Sequence, residues 1–87
     1  MKEKEKVIIY TSSLCGFCYK AKALLEKYKI NFNEVNIDID YDKREEMVLK
    51  THGQTSVPQI FIGSKHIGGC DDLHELEKEN KLAIFNN

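Results

Sequence analysis

Two cysteines three positions apart, Cys15 and Cys18, stand where a short apolar run gives way to an amphipathic stretch, and that junction constrains the chain more than any other feature. The run before it, Val7-Ile8-Ile9-Tyr10, is rich in β-formers and is bounded by charge on one side and Thr11-Ser12-Ser13 on the other. It reads as a central strand covered on both faces. From Gly16 to Tyr28, apolar Phe17, Ala21, Leu24, Leu25 and Tyr28 recur at helical spacing, while Lys20, Lys22, Glu26 and Lys27 take the opposite side. That pattern predicts an amphipathic helix.

A strand that feeds a helix through a C-x-x-C pair has a chemical use. Residues three apart at a helix start are neighbours and reach disulfide geometry with little strain. Cys15 falls at the helix mouth, where unpaired backbone N–H groups and the positive end of the dipole stabilise a thiolate. Cys18 lies one turn inside, beside the apolar stripe, and is the shielded member. The roles that follow are Cys15 as attacking nucleophile and Cys18 as resolving thiol. Two readings compete with this one. The pair could be two packed structural cysteines, or it could join Cys70 and His74 in a Cys₃His zinc set. The zinc set fits poorly with a chain that already has three helices and four strands to bury.

Asn33 to Asp40 alternates, with Val35, Ile37 and Ile39 in one phase and Glu34, Asn36, Asp38 and Asp40 in the other, which predicts a strand with one wet face near a sheet edge. Asp42 to about His52 has helix-forming composition, with Met47, Val48 and Thr51 inward and Gly53 placed to stop it. Pro58 opens a third strand, Gln59 to Ile62, and Gly63-Ser64 turns it into a short fourth, Lys65 to Ile67. After Gly68-Gly69-Cys70, the segment from Asp71 to Leu76 opens a last helix with carboxylates in its first turn, and Asp72 with Glu75 has capping-box spacing. The order is βαβαββα, an α/β fold with a four-stranded mixed sheet flanked by three helices. Two helix-linked strands predict a parallel crossover, and the hairpin adds antiparallel strands to the same sheet.

At 87 residues the chain is expected to form one domain over 1–87, with 1–6 as a charged N-terminal tail. Thirteen Lys plus Arg against fourteen Asp plus Glu give a net charge of −1, with no concentration of cations that would attract a phosphate backbone, so nucleic acid is not an expected partner. The longest apolar run, Val7 to Tyr10, is far below the roughly 20 residues that span a bilayer. The opening residues lack the apolar segment of a signal peptide, so no membrane association and a cytoplasmic location are expected. Three cysteines do not make a disulfide framework, and Cys70 reads as a packed thiol. His52, His66 and His74 show no ligand spacing among themselves, and no metal site is expected.

Cys15-Gly16-Phe17-Cys18, Ser56-Val57-Pro58-Gln59-Ile60-Phe61-Ile62 and Ile67-Gly68-Gly69-Cys70-Asp71-Asp72-Leu73 together resemble the glutaredoxin family, above all its small bacterial dithiol members, from Val7 to about Leu82. The resemblance implies a thioredoxin-like fold and glutathione-dependent thiol-disulfide exchange, with glutathione as co-substrate and glutathionylated or disulfide-bonded proteins as partners of a monomer. It implies that Val57 pairs through its backbone with the cysteinyl part of glutathione and that Pro58 is cis. Cys70 and Asp71 would receive the γ-glutamyl carboxylate on their backbone N–H groups, and Asp71 or Asp72 would hold the neighbouring ammonium. Arg44 would meet the glycyl carboxylate, with Gln54 a further candidate. Phe17, inward by periodicity, is placed beside glutathione by the resemblance, and we follow the resemblance. Two departures stand out. Ser12 occupies a position where many members carry Lys, so reactivity leans harder on the helix terminus. Gly16-Phe17 replaces the usual Pro-Tyr and is similar to single-cysteine members that carry iron-sulfur clusters, which leaves a [2Fe-2S] cluster-binding dimer as the alternative function.

Overall fold

The computed structural model describes residues 6–85. It contains β1 (Val7–Thr11), α1 (Gly16–Lys27), β2 (Asn33–Asn36), α2 (Tyr41–Lys50), β3 (Gln59–Ile62), β4 (Lys65–Gly68) and α3 (Cys70–Lys78), with a 3-10 turn at Ala83–Phe85. The strands form one sheet in the order β2-β1-β3-β4. The β1 and β2 strands run parallel, β3 is antiparallel to β1, and β4 is antiparallel to β3. This is the thioredoxin-like arrangement expected from the sequence, a mixed sheet with three helices. Residues 1–5 of the expected tail lie outside the described residues.

The central position of β1 follows from its composition. Its period of two sends Val7 and Ile9 into one core with Ala21, Leu24 and Leu25 of α1 and Leu73 of α3. Tyr10 goes into the other, with Met47 of α2, Phe61 of β3 and Ile37. Helices α1 and α3 therefore cover one face and α2 the other, which leaves the C-terminal end of β1 free to deliver Cys15.

The alternation from Asn33 to Asp40 is strand only as far as Asn36. Asn36 Oδ1 accepts the Asp38 N–H at 2.8 Å and its carbonyl accepts the Ile39 N–H at 3.2 Å, so the chain turns. Ile37 is still drawn into the core by donating its N–H to the Thr11 carbonyl at 2.8 Å, but Ile39 ends 82% exposed. A short polar side chain offering the backbone a local partner outweighs the period-two pattern.

All three helices end in the same way. Lys29, His52 and Asn80 adopt left-handed φ values of 57°, 60° and 59°. In each case the next residue's N–H closes a long bond back into the last turn: Ile30 to the Leu25 carbonyl, Gly53 to Val48 and Lys81 to Leu76. These are Schellman caps. Gly53 thus lies one position past the left-handed residue, and exposed His52 carries the strain that the sequence assigned to a glycine. His52→Gly is expected to stabilise the fold by about 0.5 to 1 kcal/mol, the left-handed penalty less the added entropy of an unfolded glycine. Urea unfolding measures it, and a lowered midpoint would mean that the His52 side chain contributes more than its backbone costs.

The α2 face is locked by a polar cluster. The buried Tyr10 hydroxyl donates to Glu46 at 2.5 Å and accepts from Lys50 Nζ at 3.1 Å, and Lys43 Nζ donates to Glu46 at 3.1 Å. Burial first, and Glu46 second, push the Tyr10 hydroxyl far above its ordinary range, so it remains a donor. The Tyr10 hydrogen bond, followed by the Lys43 bond, holds Glu46 below its ordinary 4.5. A carboxylate with a lowered folded pKa contributes stability that is complete above its unfolded value and is lost as pH falls through the folded value. Glu46→Gln is therefore expected to flatten the acid side of the stability profile below about pH 4.5, with little change in its slope near neutrality. An unaltered acid slope in chemical unfolding would remove Glu46 from the account.

Candidate active site

The active loop begins where β1 stops. Ser13 donates its N–H to Asp38 Oδ2 at 2.9 Å and receives Asn36 Nδ2 on its Oγ at 3.3 Å, which ties the loop to the turn after β2. Cys15 is the N-cap of α1, with extended backbone at φ −142°, ψ 104°. Its Sγ accepts the Cys18 backbone N–H at 3.1 Å, so a sulfur does what a serine or aspartate oxygen does at other helix starts. No acidic residue occupies the first turn of α1 to oppose negative charge on that sulfur. Cys15 is half-buried and Cys18 is 1% exposed. The two are joined as a disulfide with Cα atoms 5.2 Å apart, so the structure shows the oxidised form of the pair.

The Val57-Pro58 bond is cis, as the resemblance implies. The Val57 carbonyl oxygen lies 3.8 Å from Cys15 Sγ, which sets this loop directly against the sulfur. From there a groove of about 360 Å³ runs toward the start of α3. Six of the residues expected from the sequence line it: Phe17, Val57, Pro58, Cys70, Asp71 and Asp72. Phe17 is 60% exposed and lines the groove, so the inward position given by helical period is wrong. A residue in the first turn projects past the end of the sheet that buries later turns.

At the far end, α3 starts at Cys70 with Gly69 as N-cap. The first-turn N–H groups of Cys70 and Asp71 have no carbonyl within the helix to bond, and both residues line the groove. The capping box differs from the expected pairing of Asp72 with Glu75. Asp72 is the third helical residue and reaches back to accept the Gly69 N–H at 3.0 Å. The reason is Gly68, whose φ of +121° lets the chain enter the helix earlier than the carboxylate spacing indicated.

Cys70 is free and buried. Burial pushes its thiol up, Lys20 pulls less strongly the other way, and Asp71 adds a smaller upward push. It is therefore held as a thiol, in keeping with a packed groove wall. Its Sγ lies 3.5 Å from His74 Nδ1, yet among the described residues no group of three or more His, Cys, Asp or Glu side chains gathers as a metal site, so the Cys₃His set does not assemble.

Arg44 does not reach the groove. It lines a separate depression on α2 with Tyr41, Glu45, Val48 and Leu49. Gln54 does line it, and so do five residues that the sequence reading passed over as site residues: Ser56, Gln59, His66, Gly68 and Gly69. The signal for the glycines was present in the sequence, since a Gly-Gly pair ahead of a helix marks a close backbone approach: a Cβ on Gly69 would sit 3.4 Å from the Pro58 carbonyl. No helix among the described residues is long and apolar enough to cross a membrane.

Residues 7–67 match the family model described as Glutaredoxin. Glutaredoxin 3 of Escherichia coli strain K12 is 51% identical over 76 residues, covering 87% of this chain and 90% of that protein. The solution structure of glutaredoxin from Brucella melitensis superposes with a TM-score of 0.78 at 47% identity, covering 91% of this chain and 85% of that one. The crystal structure of a buckwheat glutaredoxin-glutathione complex superposes with a TM-score of 0.83 at 28% identity, over 93% of this chain and 76% of that one.

Proposed function

The chain belongs to the glutaredoxin family and is a thiol-disulfide oxidoreductase, and from that premise we propose that it draws its electrons from glutathione and acts on protein-glutathione mixed disulfides and on disulfides. The observation that carries this reading is Cys15 Sγ capping α1 through the Cys18 N–H at 3.1 Å, at the end of a groove that closes on the N–H groups of a second helix start. A glutathionyl group carries its sulfur on the central cysteinyl residue and an α-carboxylate with an ammonium at its γ-glutamyl end, and it fits that polarity. In the buckwheat relative glutathione is the bound molecule.

The Cys15 thiolate attacks the glutathione sulfur of a mixed disulfide. A bond forms between Cys15 and that sulfur, the old S–S bond breaks, and the client protein leaves as a thiolate that takes a proton. A second glutathione thiolate then attacks the glutathione sulfur on Cys15. Glutathione disulfide departs and the Cys15 thiolate returns, so one free glutathione is consumed for each mixed disulfide reduced, and it leaves joined to the glutathione that the client carried. Cys18 offers the alternative exit, attacking Cys15 to release glutathione and leave the intramolecular disulfide seen here. Val57 holds the substrate backbone, Phe17 flanks it, and the Cys70 and Asp71 N–H groups take the γ-glutamyl carboxylate. Asp71 or Asp72 supplies the charge for the ammonium. These contacts contribute alignment of three sulfurs rather than new chemistry. We place this work in a monomer in the reducing cytoplasm, where glutathione is at hand.

The test is turnover of a glutathionylated peptide with and without glutathione. Sustained release of peptide thiol only when glutathione is present supports the reading, and equal turnover with another reductant alone would overturn it. The iron-sulfur alternative is set aside because only the Gly16-Phe17 pair favours it; a coloured dimer after anaerobic reconstitution with iron and sulfide would reinstate it.

A further inference from the structure

Three polar side chains beneath the groove form a chain that ends on the loop carrying Val57. Gln59 is the first residue of β3 and is 4% exposed. Its Nε2 donates to the Ser56 carbonyl at 3.0 Å, with the Ser56 hydroxyl at 3.4 Å. A carbonyl can only accept, so this bond fixes which end of the amide is nitrogen and turns Oε1 the other way. Oε1 lies 2.7 Å from His66 Nε2, which must therefore carry the hydrogen. The His66 ring is itself held, stacked on Phe61 with centroids 4.8 Å apart and planes 26° from parallel. Residue 66 sits opposite Phe61 in the hairpin, and a bulge follows immediately, where Ile60 pairs with Gly68.

The Ser56 carbonyl belongs to the same planar peptide unit as the Val57 N–H. To hold one end of that plane is to aim the other. We propose that Gln59, braced by His66, is a positioning residue that sets the Ser56-Val57 peptide plane, and so directs the Val57 N–H into the groove for the backbone of a glutathionyl substrate. The proposal rests on the functional reading above and deepens it by naming what preorganises the substrate-pairing strand end.

Gln59→Leu removes both bonds at similar volume, and His66→Phe keeps the stack on Phe61 while removing only the brace. For a glutathionylated peptide, Gln59→Leu is expected to raise KM about fivefold with kcat changed less than twofold, the pattern of lost uniform binding, and His66→Phe to give a smaller change of the same kind. Residual dipolar coupling of the Val57 N–H in the free, oxidised protein provides a readout that requires no turnover. It is expected to shift in Gln59→Leu while the couplings of β1 stay as they are. An unchanged Val57 coupling, or a loss confined to kcat, would overturn the proposal. A wild-type protein that fails to turn over the glutathionylated peptide would instead overturn the functional reading, and the coupling would still decide the positioning claim.

Discussion

Cys15→Ser is expected to reduce turnover of glutathionylated peptides by roughly three orders of magnitude or more, while Cys18→Ser stays within about threefold of the parent on the same substrates. The asymmetry comes from position. Only Cys15 combines partial exposure with a cap on the helix N–H groups, and only its sulfur adjoins the groove through the Val57 carbonyl. A serine there can cap the helix equally well but has no accessible anion near neutral pH, so the fold should survive the loss of activity. Cys18 is needed only when the exit runs through the intramolecular disulfide. Cys18→Ser should therefore fail on client disulfides that must be opened without free glutathione. Equal loss in both variants on a glutathionylated peptide would show the roles to be assigned wrongly.

Gly68→Ala should do the greatest damage of any single methyl addition in the groove. Its φ of +121° lies where L-residues rarely sit, and the added Cβ would run into the Asp72 carboxylate. Strain of this kind costs about 1 to 3 kcal/mol. The carboxylate that must move is also the one that accepts the Gly69 N–H, so the start of α3 loosens at that end of the groove. A loss of about 2 to 3 kcal/mol in urea unfolding is expected, together with weaker binding of glutathionylated substrate. Combining Gly68→Ala with Asp72→Ala separates the parts, since the clash with the carboxylate disappears and leaves only the Asp72 Cβ at 3.0 Å, while the φ strain and the lost cap remain. A Gly68→Ala protein of parental stability and KM would show that this turn does not hold the groove in shape.

Element order, sheet topology and the redox pair were legible in the sequence because each rests on a local pattern. An apolar run beside a C-x-x-C, one stripe of helical spacing and a Gly-Ser turn before a short strand all survive into the fold. What failed depended on competition between local and distant partners. Ile39 followed the strand alternation perfectly and is exposed, because Asn36 turned the backbone first. The carboxylate spacing of Asp72 and Glu75 pointed to a cap, but the left-handed Gly68 moved the helix start so that Asp72 caps from inside. Arg44 was placed by resemblance alone and lies on another surface. Gln59 and His66 are seven residues apart and meet only because the hairpin folds them onto one face, so no motif announced the pair.

The most direct test mixes reduced Cys18→Ser protein with a peptide glutathionylated on a single cysteine and identifies the adduct by mass spectrometry. With the resolving thiol removed, attack by Cys15 on the glutathione sulfur should leave one glutathione on Cys15 and release the peptide as a free thiol in equal amount. Peptide bound to Cys15 with glutathione released, or no adduct at all, would contradict a groove that presents the glutathionyl sulfur to this thiolate.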